Sequence, residues 1–228
     1  MATGIKVISS MATKQLLAEL FAKYQQSSGH AVALESVGGV DAAKRVQAGE
    51  AFDAIILASN VIDQLIAAGK ITGKRVDLAN SGVAVVVKAG AARPDISSEE
   101  ALKNAVAAAK SIGYSTGPSG THLTGLFSRW GMAETVKLKI VQAPPGVPVG
   151  SLVAKGEVAL GFQQLSELIH LAGVDILGPL PPSAQIITTF SGGIAATSAQ
   201  PAVVQSLLDF LASPSAAAEK CANGMEPA

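Results

Sequence analysis

The run SGVAVVVKAG, residues 81–90, decides the architecture that the sequence predicts. It is rich in β-branched residues and nearly uncharged, which is typical of a strand that is buried on both faces or that crosses between two bodies. A second run of this kind, AQIITTFSGGIAAT, occupies residues 184–197. Two such strands would let the chain leave one body and later return to it.

Strand and helix patterns alternate before, between and after these two runs. IKVIS at residues 5–9 reads as a buried strand, and apolar residues at helical spacing follow it. Between the runs, ISSEEALKNAVAAAK (96–110) and QLSELIHLAG (164–173) read as helices. Such alternation favours parallel strands with helices on both faces. The sequence therefore predicts an α/β chain with two lobes of mostly parallel sheet, a two-strand hinge and a ligand cleft between the lobes. The predicted lobes are 1–82 with 190–228, and 83–189.

Composition narrows the class of protein. The 228 residues are 49% hydrophobic and 15% charged, as expected of a packed soluble chain, and no segment approaches the roughly 20 apolar residues that span a bilayer. Lys and Arg number 17, as do Asp and Glu, so the net charge is zero and nucleic acid is not an expected partner. The start MATGIKVISS runs directly into a strand, without the basic start and apolar leader of a signal peptide.

Four junctions between a predicted strand and the next helix are rich in glycine or small hydroxyl residues. Helix N-termini carry unpaired main-chain N–H groups and partial positive charge, so several of them together could bind an anion without a formal cation. Ordinary helix capping and turn formation is the alternative interpretation of each junction. STGPSGTH offers more hydroxyls than one cap needs, which favours a small anion there. The junctions are SSMAT (9–13), SVGGVD (36–41), STGPSGTH (115–122) and APPGVPVGS (143–151).

Three further side chains attract attention. Gln163 and Gln164 end an apolar strand, where alternation sends them to opposite sides and one of them could face a ligand. His122 lies at a predicted helix start, where the helix dipole would keep the imidazole neutral and able to accept a proton. A packing or surface role for His122 is the alternative. The signatures of serine hydrolysis, nucleotide hydrolysis and zinc chemistry are missing, so neither a metal nor another cofactor is expected.

The order of elements, with the segments GEAFDAIILASN, STGPSGTHLTGLF and LVAKGEVALGFQQ, resembles the molybdate-binding-protein-like branch of the type II periplasmic solute-binding proteins. The resemblance covers essentially the whole chain. It implies two α/β lobes, and a tetrahedral or carboxylate anion held by hydroxyls and main-chain amides. It also implies a periplasmic location and delivery of the solute to a membrane transporter of the ABC type.

The resemblance assigns ligand-binding positions in each junction. Ala12 stands where the family's first loop has a serine, and glycines replace hydroxyls in the second loop. Gln164 stands where the family has a tyrosine. These departures favour a larger, planar di- or tricarboxylate over molybdate. Aconitate isomerases of this fold imply the alternative of an enzyme that shifts a double bond, with His122 as its base. The predicted ligand-binding residues are Ser9, Ser10, Met11, Gly38, Gly39, Ser115, Ser119, Gly120, Thr121, His122, Val147 and Gln164.

Overall fold

The computed structural model describes residues 4–228, apart from the side chain of Pro118. Its strands are β1 (Ile5–Ser10), β2 (Val32–Val37), β3 (Ala54–Ala58), β4 (Ile71–Lys88), β5 (Ile112–Tyr114), β6 (Ile140–Gln142), β7 (Leu160–Gln164), β8 (Val174–Pro179), β9 (Ile187–Ala195) and β10 (Glu226–Pro227). Its α-helices are α1 (Lys14–Ser28), α2 (Gly39–Gln47), α3 (Ser59–Ala67), α4 (Glu99–Ala108), α5 (Pro118–Arg129), α6 (Ala133–Val136), α7 (Val149–Lys155), α8 (Leu165–Leu168), α9 (Pro201–Ala212) and α10 (Ala217–Ala222). Two 3₁₀ turns lie at Met11–Thr13 and Pro214–Ala216.

The chain divides into two compact units. The first unit contains the residues up to Ser81 together with Thr188–Ala228, and the second contains Gly82–Ile187. The long strand β4 therefore contributes its first part to one unit and its second part to the other. Residues from both ends of the sequence build the first unit.

The sheet of the first unit runs in the order β2, β1, β3, β9 and the first part of β4. β1 is parallel to β2 and to β3, whereas β9 is antiparallel to β3. Ser10 pairs with Val37, so β1 and β2 finish at the same edge of the sheet. The loops that follow these two strands therefore start side by side.

Helices cover the sheet of the first unit. Leu16, Leu20 and Tyr24 of α1 are buried in one cluster with Leu207 of α9. The helix α1 ends at Gly29, whose φ of 73° is the left-handed conformation that glycine adopts without steric cost. The opposite cluster is formed by α2 and α3, and its members are Ile8, Ala42, Val46, Phe52, Ile55, Leu57, Ile62, Leu65, Ile71 and Ala195.

The sheet of the second unit runs in the order β6, β5, β7 and the second part of β4. β5 is parallel to both of its neighbours, whereas β7 and β8 are antiparallel to β4. Phe162 of β7 packs with Phe127 of α5 on one face. On the other face, a Cβ at Gly161 would meet Val153 of α7. Both faces are thus buried, as the uncharged strands indicated.

Several elements differ from the sequence-based expectation, and three of them are informative. β4 begins at Ile71 rather than near residue 81. Its first part is half-exposed and contains charged residues, such as the paired Arg75 and Asp77, so the sequence shows no apolar strand pattern there. The predicted helix 164–173 ends as α8 at Leu168. The chain then turns through Gly173, with φ of 82°, into β8, a strand that the pattern did not indicate. Within residues 4–228, no helix is both long enough and apolar enough to cross a bilayer.

Candidate functional site

The two predicted ligand loops of the first unit lie next to each other. A Cβ atom added to Gly39, the first residue of α2, would lie 3.8 Å from the Cβ of Ser10. The parallel pairing of β1 and β2 causes this approach, because both strands end at one edge of the sheet. The 3₁₀ turn after Ser10 and the start of α2 therefore form one small-residue surface.

The two serines of the first loop have different hydroxyl environments. Ser9 is fully buried, and its Oγ lies 2.8 Å from the Oγ of Ser36, so this hydroxyl is engaged between β1 and β2. The Oγ of Ser10 accepts a hydrogen bond of 3.2 Å from the main-chain N–H of Ala12 and thereby caps the 3₁₀ turn. Accepting that bond leaves the Ser10 hydroxyl proton to donate, so Ser10 can both cap the turn and bind an anion.

The second loop offers main-chain groups in place of side chains. Gly38 and Gly39 are half-buried, and the first helical hydrogen bond of α2 runs over 2.9 Å from the Ala42 N–H to the Gly38 carbonyl. The N–H groups of the first turn before Ala42 have no acceptor within the helix. Met11 is half-buried in the neighbouring 3₁₀ turn. An anion at this edge would therefore meet neutral main-chain donors.

The loop before α5 in the second unit has hydroxyls that bind one another. The Oγ atoms of Ser115 and Ser119 lie 3.0 Å apart, and the Gly117 N–H donates to the Ser115 Oγ over 3.3 Å. Ser119 is 5% exposed, whereas Thr121 and His122 are exposed on the same helix. This loop therefore holds part of its hydroxyl set in internal bonds and presents Thr121 and His122 to solvent.

Gly120 is required by the loop itself. A Cβ atom at this position would lie 1.8 Å from the carbonyl oxygen of Ser115, far closer than two non-bonded atoms can approach. The sequence analysis predicts that this glycine binds the ligand. In the structure, the absence of a side chain at Gly120 lets the first turn of α5 pack closely against the residues that follow β5.

The loop before α7 has few free donors. The Val147 N–H donates to the Pro144 carbonyl over 3.0 Å, and the Val147 side chain is 37% exposed. The Gly150 N–H, in the first turn of α7, donates over 2.9 Å to the Oε1 of Gln163. Val147 is therefore available to a ligand through its exposed side chain, while its amide already has an acceptor.

The two glutamines at the end of β7 lie on opposite faces of the strand. Gln163 is 1% exposed and turns toward α7, as its bond to Gly150 shows. Gln164 is 4% exposed, and its main chain pairs with Val83 of β4. Both amides are buried, so each must be held by specific hydrogen bonds.

Glu167 is a titratable residue beside Gln163 that the sequence interpretation did not consider. It lies in α8, four residues after Gln163 of β7, and is half-buried. Burial raises the pKa of Glu167 to about 7, although the hydrogen bond from Gln163 acts in the opposite direction. A signal was present in the sequence, because a carboxyl four residues after a buried glutamine at a strand end can contact that glutamine. The sequence analysis considered only the two glutamines and not the carboxyl that follows them.

The hydroxyl and main-chain N–H groups of these loops can bind an anion, but they are not ligands that a metal ion prefers. Hydroxyls and main-chain N–H groups at helix starts stabilise negative charge without a cation. Over the part of the chain that the structure describes, no three His, Cys, Asp or Glu side chains are placed to hold a metal ion. Each of these loops therefore favours a small anion that is bound by neutral donors.

Comparison with known proteins identifies the family. The sequence matches the bacterial extracellular solute-binding protein family over residues 5–226. The chain belongs to this family. Among individual proteins, one named as an aconitate isomerase from Pseudomonas sp. is 35% identical, and the matched region covers 99% of this chain and 88% of that protein. The family membership confirms the solute-binding resemblance that the sequence motifs indicated.

Solved structures confirm the fold class of this family member. The periplasmic molybdate-binding protein of Azotobacter vinelandii superposes with a TM-score of 0.80 at 22% identity, covering 97% of this chain and 98% of that one. The sulfate-binding protein SubI from Mycobacterium tuberculosis superposes with a TM-score of 0.76 at 17% identity, covering 99% and 87% of the two chains. At such identities the likeness shows the shared α/β fold of periplasmic binding proteins.

Proposed function

We propose that this chain is a solute-binding protein for a small anion, either a di- or tricarboxylate or an oxyanion. The observation that carries the proposal is the approach of Ser10 to Gly39, which joins a free hydroxyl proton to the start of α2. Membership of the solute-binding family supports it. Structural neighbours that carry the names of molybdate- and sulfate-binding proteins support the anionic class.

The residues at these loops favour a carboxylate ligand. Gly38 and Gly39 remove side chains from the edge beside Ser10 and leave room for a ligand larger than a tetrahedral oxyanion. Gln164 places an amide where the resemblance implies a tyrosine hydroxyl, so the site departs there from the oxyanion-binding pattern. We therefore rank di- and tricarboxylates before molybdate and sulfate.

An isomerase is the second candidate, and one observation favours it. The aconitate isomerase from Pseudomonas sp. is 35% identical over 99% of this chain. In such a reaction a base removes a proton from the carbon beside a carboxylate, the double bond shifts along the allylic system, and a proton returns at its other end. His122, exposed in α5, is the proposed base.

A partner and a location follow from the binding role. We propose that the chain acts in the periplasm and delivers its anion to a membrane transporter of the ABC type. Relatives named as a periplasmic binding protein and as the substrate-binding domain of a molybdenum ABC transporter support this role. The ligand cleft between two lobes, which the sequence predicts, also stays a proposal. A decrease in the radius of gyration by X-ray scattering on ligand addition would support it.

Calorimetry and NMR test the two functions separately. Citrate, cis-aconitate, trans-aconitate, sulfate and molybdate are each titrated into the full chain. Saturable binding of at least one is expected, and a lack of heat with all five would overturn the binding proposal. The protein is then incubated with each aconitate isomer in D2O, while the vinyl and methylene signals are followed. Interconversion above the buffer control would establish the isomerase, and its absence would reject that activity for aconitate.

A further inference from the structure

A cavity of about 170 Å³ opens in the first unit, at the edge of the sheet away from the Ser10 loop. It lies where β3 begins and β9 ends, two antiparallel strands that pair Ala54 with Ile194, and Phe52 and Ala195 line its wall. β1 is parallel to β3, so the loop that follows Ser10 leaves the sheet at the other edge. The cavity is therefore separate from the proposed anion site.

The inner wall of the cavity is apolar. Val46 of α2, Ile55 of β3, Phe52 and Ala195 line it, and all four are buried in the cluster that α2 and α3 form on the sheet. An apolar cavity of about 150 Å³ is large enough to hold benzene. The interior can therefore accept a branched aliphatic or aromatic group of about four to seven carbon atoms.

Two helices end at the mouth of the cavity. Gly49 follows the end of α2 and Gly69 follows the end of α3, and both glycines line the mouth. The next main-chain N–H groups, of Glu50 and Lys70, donate back into these helices over 3.1 and 2.9 Å. A Cβ atom at either glycine would meet no atom within 4 Å, so the mouth is open. Helix C-termini carry partial negative charge, which favours a cationic group beside them.

The mouth also carries side chains of both charges. Glu50 accepts a hydrogen bond of 2.6 Å from the Nε of Arg45, which also pairs with Glu35. One guanidinium and two carboxylates leave one negative charge on this side. Lys70 lines the other side and is half-buried. Within residues 4–228 its ammonium group has no hydrogen-bond or ion-pair partner, so it is available to an anionic group of a ligand.

We propose that this cavity binds a small apolar amino acid in its zwitterionic form. The carboxylate of the ligand binds the Lys70 ammonium group, and the α-ammonium group lies beside Glu50 and the ends of α2 and α3. The side chain of the ligand enters the apolar interior. A simple carboxylate would leave the negative side of the mouth without a counter-charge, and a simple amine would face Lys70. Only a ligand with both charges complements both sides.

Leucine and three analogues test the proposal on the full chain by calorimetry. 4-Methylpentanoate lacks the ammonium group of leucine, 3-methylbutylamine lacks the carboxylate, and glycine lacks the side chain. Leucine should bind saturably, and each analogue should bind at least about tenfold more weakly because it loses a charged contact or the apolar one. In two-dimensional ¹⁵N NMR spectra, leucine should shift the amide signals of Gly49 and Gly69.

Lys70→Met removes the ammonium group but keeps the main-chain N–H that bonds back to α3. It should weaken leucine binding at least about tenfold. Lys74→Met, which changes an exposed lysine in the same unit, is the matched control and should bind leucine as wild type does.

Three results would overturn the inference. They are a lack of saturable leucine binding, equal binding of leucine and either charge-deleted analogue, and unchanged leucine affinity in Lys70→Met. Amide shifts confined to the loop after Ser10 would also overturn it, because leucine would then occupy the proposed anion site. The inference does not depend on the anion-binding function, which its own titrations test, so either can fail while the other stands.

Discussion

The carbonyl oxygen of Ser115 lies where a side chain at position 120 would begin, at 1.8 Å from the Cβ that Gly120 lacks. The first turn of α5 therefore depends on a glycine for its contact with the end of β5. This contact sets the position of Ser119, whose Oγ lies 3.0 Å from the Ser115 Oγ. The loop and the helix start are consequently packed directly against each other.

Gly120→Ala is expected to destabilise the chain by about 1–3 kcal/mol, because the backbone must move to relieve the clash. Anion affinity should fall with it, since the hydroxyls of this loop would shift. Urea unfolding and calorimetry measure the two effects. Gly125→Ala is the control in the same helix, where an added Cβ meets nothing within 4 Å. It should stabilise the helix by about 1 kcal/mol and leave binding intact. Equal behaviour of the two variants would refute the steric role of Gly120.

Ser10→Ala tests the hydroxyl beside Gly39. The variant loses the acceptor for the Ala12 N–H, which costs about 1 kcal/mol of stability, and loses one donor to the anion. A hydrogen bond to a charged ligand contributes about 1.5–3 kcal/mol, so affinity should fall at least tenfold. The comparison is Ser98→Ala, which removes an equivalent cap, the acceptor for the Ala101 N–H in α4. If both serine variants bind the anion equally well, Ser10 is a structural cap alone.

His122→Ala separates binding from chemistry. Loss of an exposed imidazole in α5 should leave anion affinity within about tenfold of wild type, while any aconitate isomerisation should disappear. His170→Ala, which removes another exposed histidine from the same unit, should retain the activity. The measurement is the rate of vinyl-proton exchange in D2O. Turnover that survives in His122→Ala would remove this residue from the proposed mechanism.

Lys220 should limit the stability of the first unit. It is 1% exposed in α10, and burial lowers the pKa of its ammonium group from the ordinary value of 10.5. The unfolded chain therefore binds more protons than the folded chain between the lowered pKa and 10.5, and stability rises with pH across that window. Lys220→Met should increase the free energy of unfolding by about 1 kcal/mol or more at pH 7, since no charge is then buried.

The gain from Lys220→Met should shrink as the pH approaches 10.5, where the lysine of the unfolded chain also becomes neutral. Urea unfolding at pH 7 and pH 10 measures this difference. Lys74→Met changes an exposed lysine in the same unit and should alter stability by less than about 0.5 kcal/mol at either pH. A Lys220→Met variant that is less stable than wild type at pH 7 would show that the ammonium group has a stabilising partner.

Most of the fold was predictable because its signals are local. Uncharged β-branched runs, helical spacing in α1 and the cap at Ser98 each depend on neighbouring residues. The first part of β4 and the strand β8 were missed for the opposite reason. Each of these two strands contains charged residues, which interrupt the apolar pattern. Each is stabilised by pairing with a strand that is distant in the sequence, and such pairing leaves no periodic signal in the local sequence.

The α/β class, the family and the loops in which small hydroxyl and glycine residues collect follow from the amino-acid sequence alone. The partners that these groups already have are visible only in the folded chain. The Ser9 hydroxyl is engaged by Ser36, and the Gly150 amide by Gln163. The burial that raises the pKa of Glu167 is likewise a property of the fold. A hydrogen bond or a pKa depends on atoms a few ångströms away, and folding brings those atoms together from distant parts of the chain.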